Sequence, residues 1–236
     1  MGNENEIPIL NFNISGGVKL EEGGEEWKEM SKKVREAFES HGCFLISAAL
    51  GIYTSKTREL STIIMKMVVE AFELPEHYNL DAEELNYYND ARMTRYSTSE
   101  ETKGSNIGLV PHTDKGTISF LCDNGVQGLQ LLPKTGNWVD INIPTNGFVV
   151  VVGDILQAWS NRRLEAATHR VVARDEERFA FVLFAVPREG MIIKGPSEFV
   201  DDENPLHYRP FVYDEYVNYQ HSTGTQEAPM DKFAGL

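Results

Sequence analysis

Residues 107–121 read IGLVPHTDKGTISFL. His112 and Asp114 stand two residues apart at the head of an apolar run. Side chains alternate along a strand, so an i, i+2 pair on an extended segment shares one face. An imidazole and a carboxylate placed in this way can grip a single metal ion. Residues 164–186, LEAATHRVVARDEERFAFVLFAV, supply a second imidazole at His169 and, nine residues on, Arg178. Two His and one carboxylate make the facial ligand set that suits Fe(II) and leaves coordination positions open. A nearby arginine can hold a carboxylate co-substrate through two parallel hydrogen bonds.

Each of these residues also has a plainer reading. His-x-Asp arises in surface turns, and a single His is commonly a satisfied core residue. Their weight comes from combination: each His enters a β-rich run, and a jelly roll is expected to bring such distant strands face to face. His41, His77, His207 and His221 lie outside the β-rich region and are weaker candidates. If residues 178–184 are extended, Arg178, Ala180, Val182 and Phe184 share one face, opposite Phe179, Phe181 and Leu183. Both rows are apolar, so the strand is expected to be buried on both sides, and Arg178 then requires a buried anion. That anion is either the carboxylate of a co-substrate or an Asp or Glu of the chain. Tyr96 is either a core aromatic or a hydroxyl reaching the same carboxylate. Gly153-Asp154 and Trp159-Ser160-Asn161 read as a turn that positions the strand carrying His169, with no chemistry of their own.

The 236 residues suit one structural unit with one sizeable core. A formal net charge of −14 argues against nucleic acid and against anionic membranes as partners. No apolar run reaches the length of a membrane span, and the start, MGNENEIPIL, lacks a charged segment followed by a long apolar one. Glu6 stands where N-terminal acylation requires Ser or Thr. Cys43 and Cys122, both in apolar contexts, read as reduced core thiols of a cytoplasmic protein. A small molecule is the expected partner, and the chain is expected to be a monomer or to self-associate non-specifically.

Along the chain, IPILNF at residues 7–12 reads as a short strand, and Gly16, Gly17, Gly23 and Gly24 bracket an acidic loop. Trp27, Met30, Val34, Ala37 and Phe38 recur at helical spacing over residues 25–40, with Gly42 as the stop. Residues 43–47 read as a buried strand. A second helix spans about 55–72 on Leu60, Ile63, Ile64, Met67, Val68 and Ala71, and Pro75 follows it. Residues 76–91 hold a short helix, 92–97 a strand and 97–106 a loop. Beyond Val110 short strands follow one another at 117–122, 128–132, 138–143, 147–152, 169–173, 178–186 and 191–193, the pattern of a jelly roll. A short helix is expected within 205–219 and a loose tail over the last dozen residues. The division is therefore 1–106 for an N-terminal region of helices and strands, 107–215 for a mainly β jelly-roll core, and 216–236 for the tail.

The ordered motifs PHTD, GLQLL, W-V-D-I, GD-x-L-x-x-W-SN-x-R-x-x-x-x-x-HRVV and R-F-A-F resemble the plant-type 2-oxoglutarate- and Fe(II)-dependent dioxygenases, from about Val110 to Tyr213. The chain looks most like the branch that modifies glucosinolate side chains. The resemblance implies a double-stranded β-helix with flanking helices. It implies iron held by His112, Asp114 and His169, and 2-oxoglutarate held at its far carboxylate by Arg178, with Tyr96 close by. It also implies that Phe184 lies against the substrate, that O2 is the oxidant and that ascorbate supports turnover. The expected activity is hydroxylation, demethylation or desaturation of a small specialised metabolite. The alternatives are a metal-binding jelly roll without turnover and a cupin-like isomerase, the latter opposed by Arg178 and the open ligand set. Two departures stand out. Ala180 replaces the serine that the family pairs with the arginine, a loss of about 1.5–3 kcal/mol unless water fills the place. And Ala48-Ala49-Leu50-Gly51 runs almost directly into the second helix, where relatives carry a longer segment that walls the substrate pocket.

Overall fold

The computed structural model describes residues 7–10, 22–47, 54–97, 107–134 and 136–236. The glycine-bracketed loop for the most part, residues 98–106 and the junction after Ser47 lie outside them.

Strand β1 (Ile9–Leu10) is followed by helix α1 (Glu25–His41) and strand β2 (Cys43–Ser47). Glu25 and Glu26 complement the positive end of the α1 dipole. Its apolar stripe buries Trp27, Val34, Ala37 and Phe38. Gly42 closes the helix in the left-handed region at φ 67°, its N–H donating to Phe38 O at 3.0 Å. A side chain there would also meet Glu165 O at 3.0 Å, so position 42 requires glycine on two grounds. Helix α2 (Thr54–Ala71) packs on α1, and helix α3 (Asn79–Glu84) leads into strand β3 (Tyr88–Tyr96). Then come β4 (Ile107–His112), β5 (Ile118–Asp123), β6 (Leu129–Leu131), β7 (Val139–Asp140) and β8 (Gly147–Val152). A short helix, α4 (Asp154–Trp159), precedes β9 (His169–Val172) and β10 (Arg178–Val186). The chain continues through β11 (Ile192–Ile193), β12 (Phe211–Val212), α5 (Tyr213–Thr223) and α6 (Pro229–Ala234).

Six strands form one sheet in the order β1-β2-β8-β5-β10-β3, and four form a second in the order β4-β9-β6-β7. Alternation along the large sheet divides its side chains between two cores. Phe44, Ile46, Ile118, Phe120, Phe148, Val150 and Val152 point to one side and pack under α1, α2 and α4. Cys43, Leu45, Leu121, Val149 and Val151 point to the other and meet Leu129, Leu131 and Val171 of the small sheet. The two sheets therefore face each other across the second core, as in the expected jelly roll. Among the described residues no helix is long and apolar enough to cross a membrane.

The structure departs from the sequence reading in several places. The third strand runs from Tyr88, four residues earlier than the pattern suggests, because nine pairs with β10 extend it beyond its own apolar residues. The helix expected within 205–219 starts only at Tyr213. The last dozen residues are not loose. Pro229 opens α6, which buries Met230 and Ala234, and Leu236 N–H donates to His207 O at 3.0 Å. β10 is buried on both faces except at its start, where Phe179 is 45% exposed although Leu183 on the same face is 1% exposed. Cys122 is half-buried, unlike Cys43.

These differences in burial make a prediction. Phe44→Ala removes a fully buried ring in contact with Phe38 at 5.1 Å between centroids, and should cost about 3–5 kcal/mol in urea unfolding. Phe179→Ala, at an exposed position, should cost well under about 1 kcal/mol. Equal losses would show that Phe179 is covered in solution.

Candidate metal centre

His112 is the last residue of β4 and lies directly opposite His169, the first of β9. The two imidazoles are thus cross-strand neighbours in one sheet, with ring centroids 4.3 Å apart, and are not brought together across the sandwich as the sequence reading expects. Asp114 lies past the end of β4, so strand alternation is not what aims it. The strand stops at His112 after two register shifts in its pairing with β9. The following turn is tied down from the other sheet: Asp154 N–H donates to Asp114 O at 2.8 Å, Gly153 N–H to Thr117 O at 2.9 Å and Thr117 N–H to Ala185 O at 2.8 Å. Gly153 has no room for a side chain here, since a Cβ would lie 2.2 Å from Gly116 O.

One ligand atom from each of His112, Asp114 and His169 lies within 4.8 Å of the others. The ring nitrogens have separate duties. His112 Nδ1 lies 2.9 Å from Val110 O, and His169 Nδ1 lies 2.9 Å from Ala167 O. A carbonyl only accepts, so each Nδ1 carries the proton and each Nε2 presents a lone pair. Both Nε2 atoms stand 3.7 Å from Asp114 Oδ1. Asp114 is 6% exposed, and its Oδ2 is buried with no hydrogen-bond partner among the described residues. A buried carboxylate oxygen left unsatisfied is costly, and a cation in the cluster would satisfy it. Burial, and then the neighbouring His169, lower the pKa of His112 and favour the neutral ring that coordination needs.

Arg178 opens β10 and is 3% exposed. Its anion is one of the two that the sequence leaves open, an acidic residue of the chain. Nη2 donates to Asp123 Oδ2 at 2.8 Å and Nε to Val126 O at 3.2 Å. Nη1 is buried and lacks a partner among the described residues. Tyr96 sits opposite Arg178 in the β3–β10 register, with the guanidinium 5.4 Å from its ring centre. Burial raises the Tyr96 pKa. Gly128 lets the arginine pass, because a Cβ there would lie 3.2 Å from Arg178 Cδ. Phe184, six residues further along the same face, is half-buried, and the Arg92 guanidinium stands 5.8 Å from its ring centre. Lys115, next to Asp114, is half-buried as well.

Sequence reasoning misses two contributors. Asp123 pairs with Arg178 but reads in the sequence as a turn residue before Asn124-Gly125. Asp154 carries no chemistry in the sequence reading, yet it is 1% exposed and receives hydrogen bonds from Tyr216 Oη and, at 3.4 Å, Gln220 Nε2. Its partners come from α5, more than 60 residues away, where no local signal points to them.

Two predictions arise here. His169→Ala should abolish stoichiometric binding in anaerobic titration with Fe(II), or with Mn(II) as a redox-inert probe, while the circular dichroism stays native. Unchanged affinity would remove His169 from the ligand set. Burial pushes the Asp154 carboxyl up to about 7, against about 3.9 in the unfolded chain. The folded state therefore holds this proton more tightly, so the stability contributed by the group is fully present below about pH 4 and falls as pH rises towards 7. Asp154→Asn should flatten the slope of melting temperature against pH in that window. An unaltered slope would mean that the carboxyl titrates in the folded protein as it does in water.

Residues 85–187 match the 2OG-Fe(II) oxygenase superfamily. The chain is 31% identical over 193 residues to the probable 2-oxoglutarate-dependent dioxygenase AOP1 of Arabidopsis thaliana, covering 78% of this chain and 62% of that protein. It is 39% identical over 136 residues to the 2-oxoglutarate-dependent dioxygenase DAO of Oryza sativa subsp. indica, covering 56% of this chain and 45% of that protein. The chain thus spans about six tenths of the length of the AOP1 proteins it matches. In fold it is similar to the crystal structure of the rice dioxygenase for auxin oxidation, at TM-score 0.71 and 23% identity, over 98% of this chain and all of that one. It is also similar to the dioxygenase for auxin oxidation of Arabidopsis thaliana in its complex with 2-oxoglutarate, at TM-score 0.69 and 20% identity, over 85% of this chain and all of that one.

Proposed function

Because the chain belongs to the 2OG-Fe(II) oxygenase superfamily, we propose that it is a dioxygenase that oxidises a C–H bond of a small specialised metabolite. His112, Asp114 and His169 hold Fe(II) on this reading. The observation that carries it is the convergence of two free Nε2 atoms on a buried carboxylate whose Oδ2 has no other partner among the described residues. When bound, iron and 2-oxoglutarate supply the oxidising chemistry, in which O2 is consumed and succinate and CO2 are released while the substrate is hydroxylated, demethylated or desaturated.

The chain's own residues bind, orient and exclude water. The carbonyls of Val110 and Ala167 fix both imidazoles by their Nδ1 protons, so neither ring turns when a ligand arrives. Arg178 receives the far carboxylate of 2-oxoglutarate on Nη1, its one nitrogen without a partner among the described residues, and the Tyr96 ring lines the same pocket. Phe184 walls the substrate. Arg92 beside it, with Lys115 close enough to feel its charge, sets two cations near Phe184 in a chain of net charge −14, against the single acid Asp90 paired with Phe184, and favours an acidic substrate. Ascorbate serves to keep the iron reduced. Two free cysteines suit a reducing compartment such as the cytosol.

The test is succinate release with Fe(II), ascorbate and 2-oxoglutarate, screened over small acidic and neutral metabolites. Substrate-dependent release from the acidic set is expected. Arg178→Ala should weaken 2-oxoglutarate roughly tenfold to a hundredfold, by loss of a charge-assisted hydrogen bond, with Fe(II) binding nearly intact. An unchanged 2-oxoglutarate affinity would place the far carboxylate elsewhere.

A further inference from the structure

The proposed co-substrate pocket contains an acid of its own. Asp123, at the end of β5, is the cross-strand partner of Ala180 on β10. Its side chain is only 7% exposed and lies against an Arg178 side chain that is 4% exposed. Asp123 is held at both oxygens: Oδ2 accepts from Arg178 Nη2 at 2.8 Å, and Oδ1 accepts from Gly125 N–H at 3.0 Å. It therefore belongs to a built turn and is not free to swing away. Arg178 is held just as firmly, by Asp123 on one side and by Val126 O at 3.2 Å on the other. Nη1 is left as its only unengaged nitrogen among the described residues.

This arrangement changes what the arginine can select. A lone buried guanidinium strongly favours an anion, because its charge has no other compensation. Here a carboxylate already compensates it, and the same carboxylate repels a second anion brought to Nη1. What Nη1 still requires is a hydrogen-bond acceptor, charged or neutral. Ala180 contributes no hydroxyl that would restore a preference for a carboxylate.

We propose that Asp123 is a specificity-determining residue of the co-substrate pocket: by neutralising Arg178 it lowers the preference for the far carboxylate of 2-oxoglutarate and admits 2-oxo acids whose far end is a neutral hydrogen-bond acceptor. The inference rests on the co-substrate assignment of Arg178 made above. Asp123→Asn is the informative change, since the amide oxygen still accepts from Nη2 while the negative charge is gone, with the Gly125 N–H bond lost as well.

The experiment is calorimetric titration of the Mn(II)-loaded full chain, without turnover, with 2-oxoglutarate and with its far-end methyl ester, whose carbonyl accepts a hydrogen bond without charge and which has no amide to close on the 2-oxo group. The wild-type chain should bind the two within about threefold of each other. Asp123→Asn should tighten 2-oxoglutarate about tenfold, equivalent to about 1.4 kcal/mol, and move the ester by less than about twofold. The wild-type ratio needs no variant and decides the matter even if Asp123→Asn fails to fold. A wild-type preference of a hundredfold or more for 2-oxoglutarate overturns the inference and leaves the oxygenase reading standing. Weaker binding of both acids by Asp123→Asn also overturns it, and makes Asp123 a positioning residue for the arginine. If neither acid binds the Mn(II)-loaded wild type, the co-substrate reading fails and this inference falls with it.

Discussion

The structure depends on a sheet that must satisfy two cores at once. β8 lies between β2 and β5, and all six of its residues are buried. Phe148, Val150 and Val152 hold the helices on one side, while Val149 and Val151 hold the small sheet on the other. A strand of this kind has no solvent face on which to place a polar residue, which is why its sequence is an unbroken FVVVV. The helices and the small sheet never need to touch each other, because each is anchored to the same central strands. The cluster of His112, Asp114 and His169 sits at the end of this sandwich, where β4 and β9 begin to part and the backbone of Gly153 and Asp154 reaches across from the large sheet.

Much of this is legible in the residues. The helix around Trp27 to Phe38, the buried strand after Gly42 and the run at 147–152 carry strong periods, and each appears within a residue or so of its expected bounds. The cluster is legible because its chemistry is rare: two imidazoles and a carboxylate entering apolar runs. Its geometry is less so. His112 and Asp114 come together through a turn fixed by main-chain hydrogen bonds, and such bonds leave no trace in side-chain patterning. The two imidazoles meet by strand pairing, and pairing partners 57 residues apart are set by topology alone.

The same limit explains Asp123 and Asp154. In each case an acid in an ordinary local context acquires its meaning from a residue far along the chain, Arg178 for one and Tyr216 for the other. The C-terminal segment departs from its sequence reading for a related reason. Six residues are too short to show a helical period, yet packing Met230 and Ala234 against the core is enough to order them. Polar composition near a terminus says what a segment is made of and does not say what it lies against.

The pairing of β10 with β3 runs through nine consecutive residue pairs, from Arg178 with Tyr96 to Val186 with Tyr88, with no bulge to absorb an error. On such a ladder a shift of one position turns every side chain over. Arg178 and Phe184 would leave the barrel together, and Phe179 and Phe181 would enter in their place. The turn before β10, residues 173–177, is largely exposed and bound by no such ladder. Descendants of this sequence are therefore free to lengthen or shorten that turn, whereas a single codon gained or lost between residues 178 and 184 would set the arginine and the aromatic wall on opposite faces of the sheet.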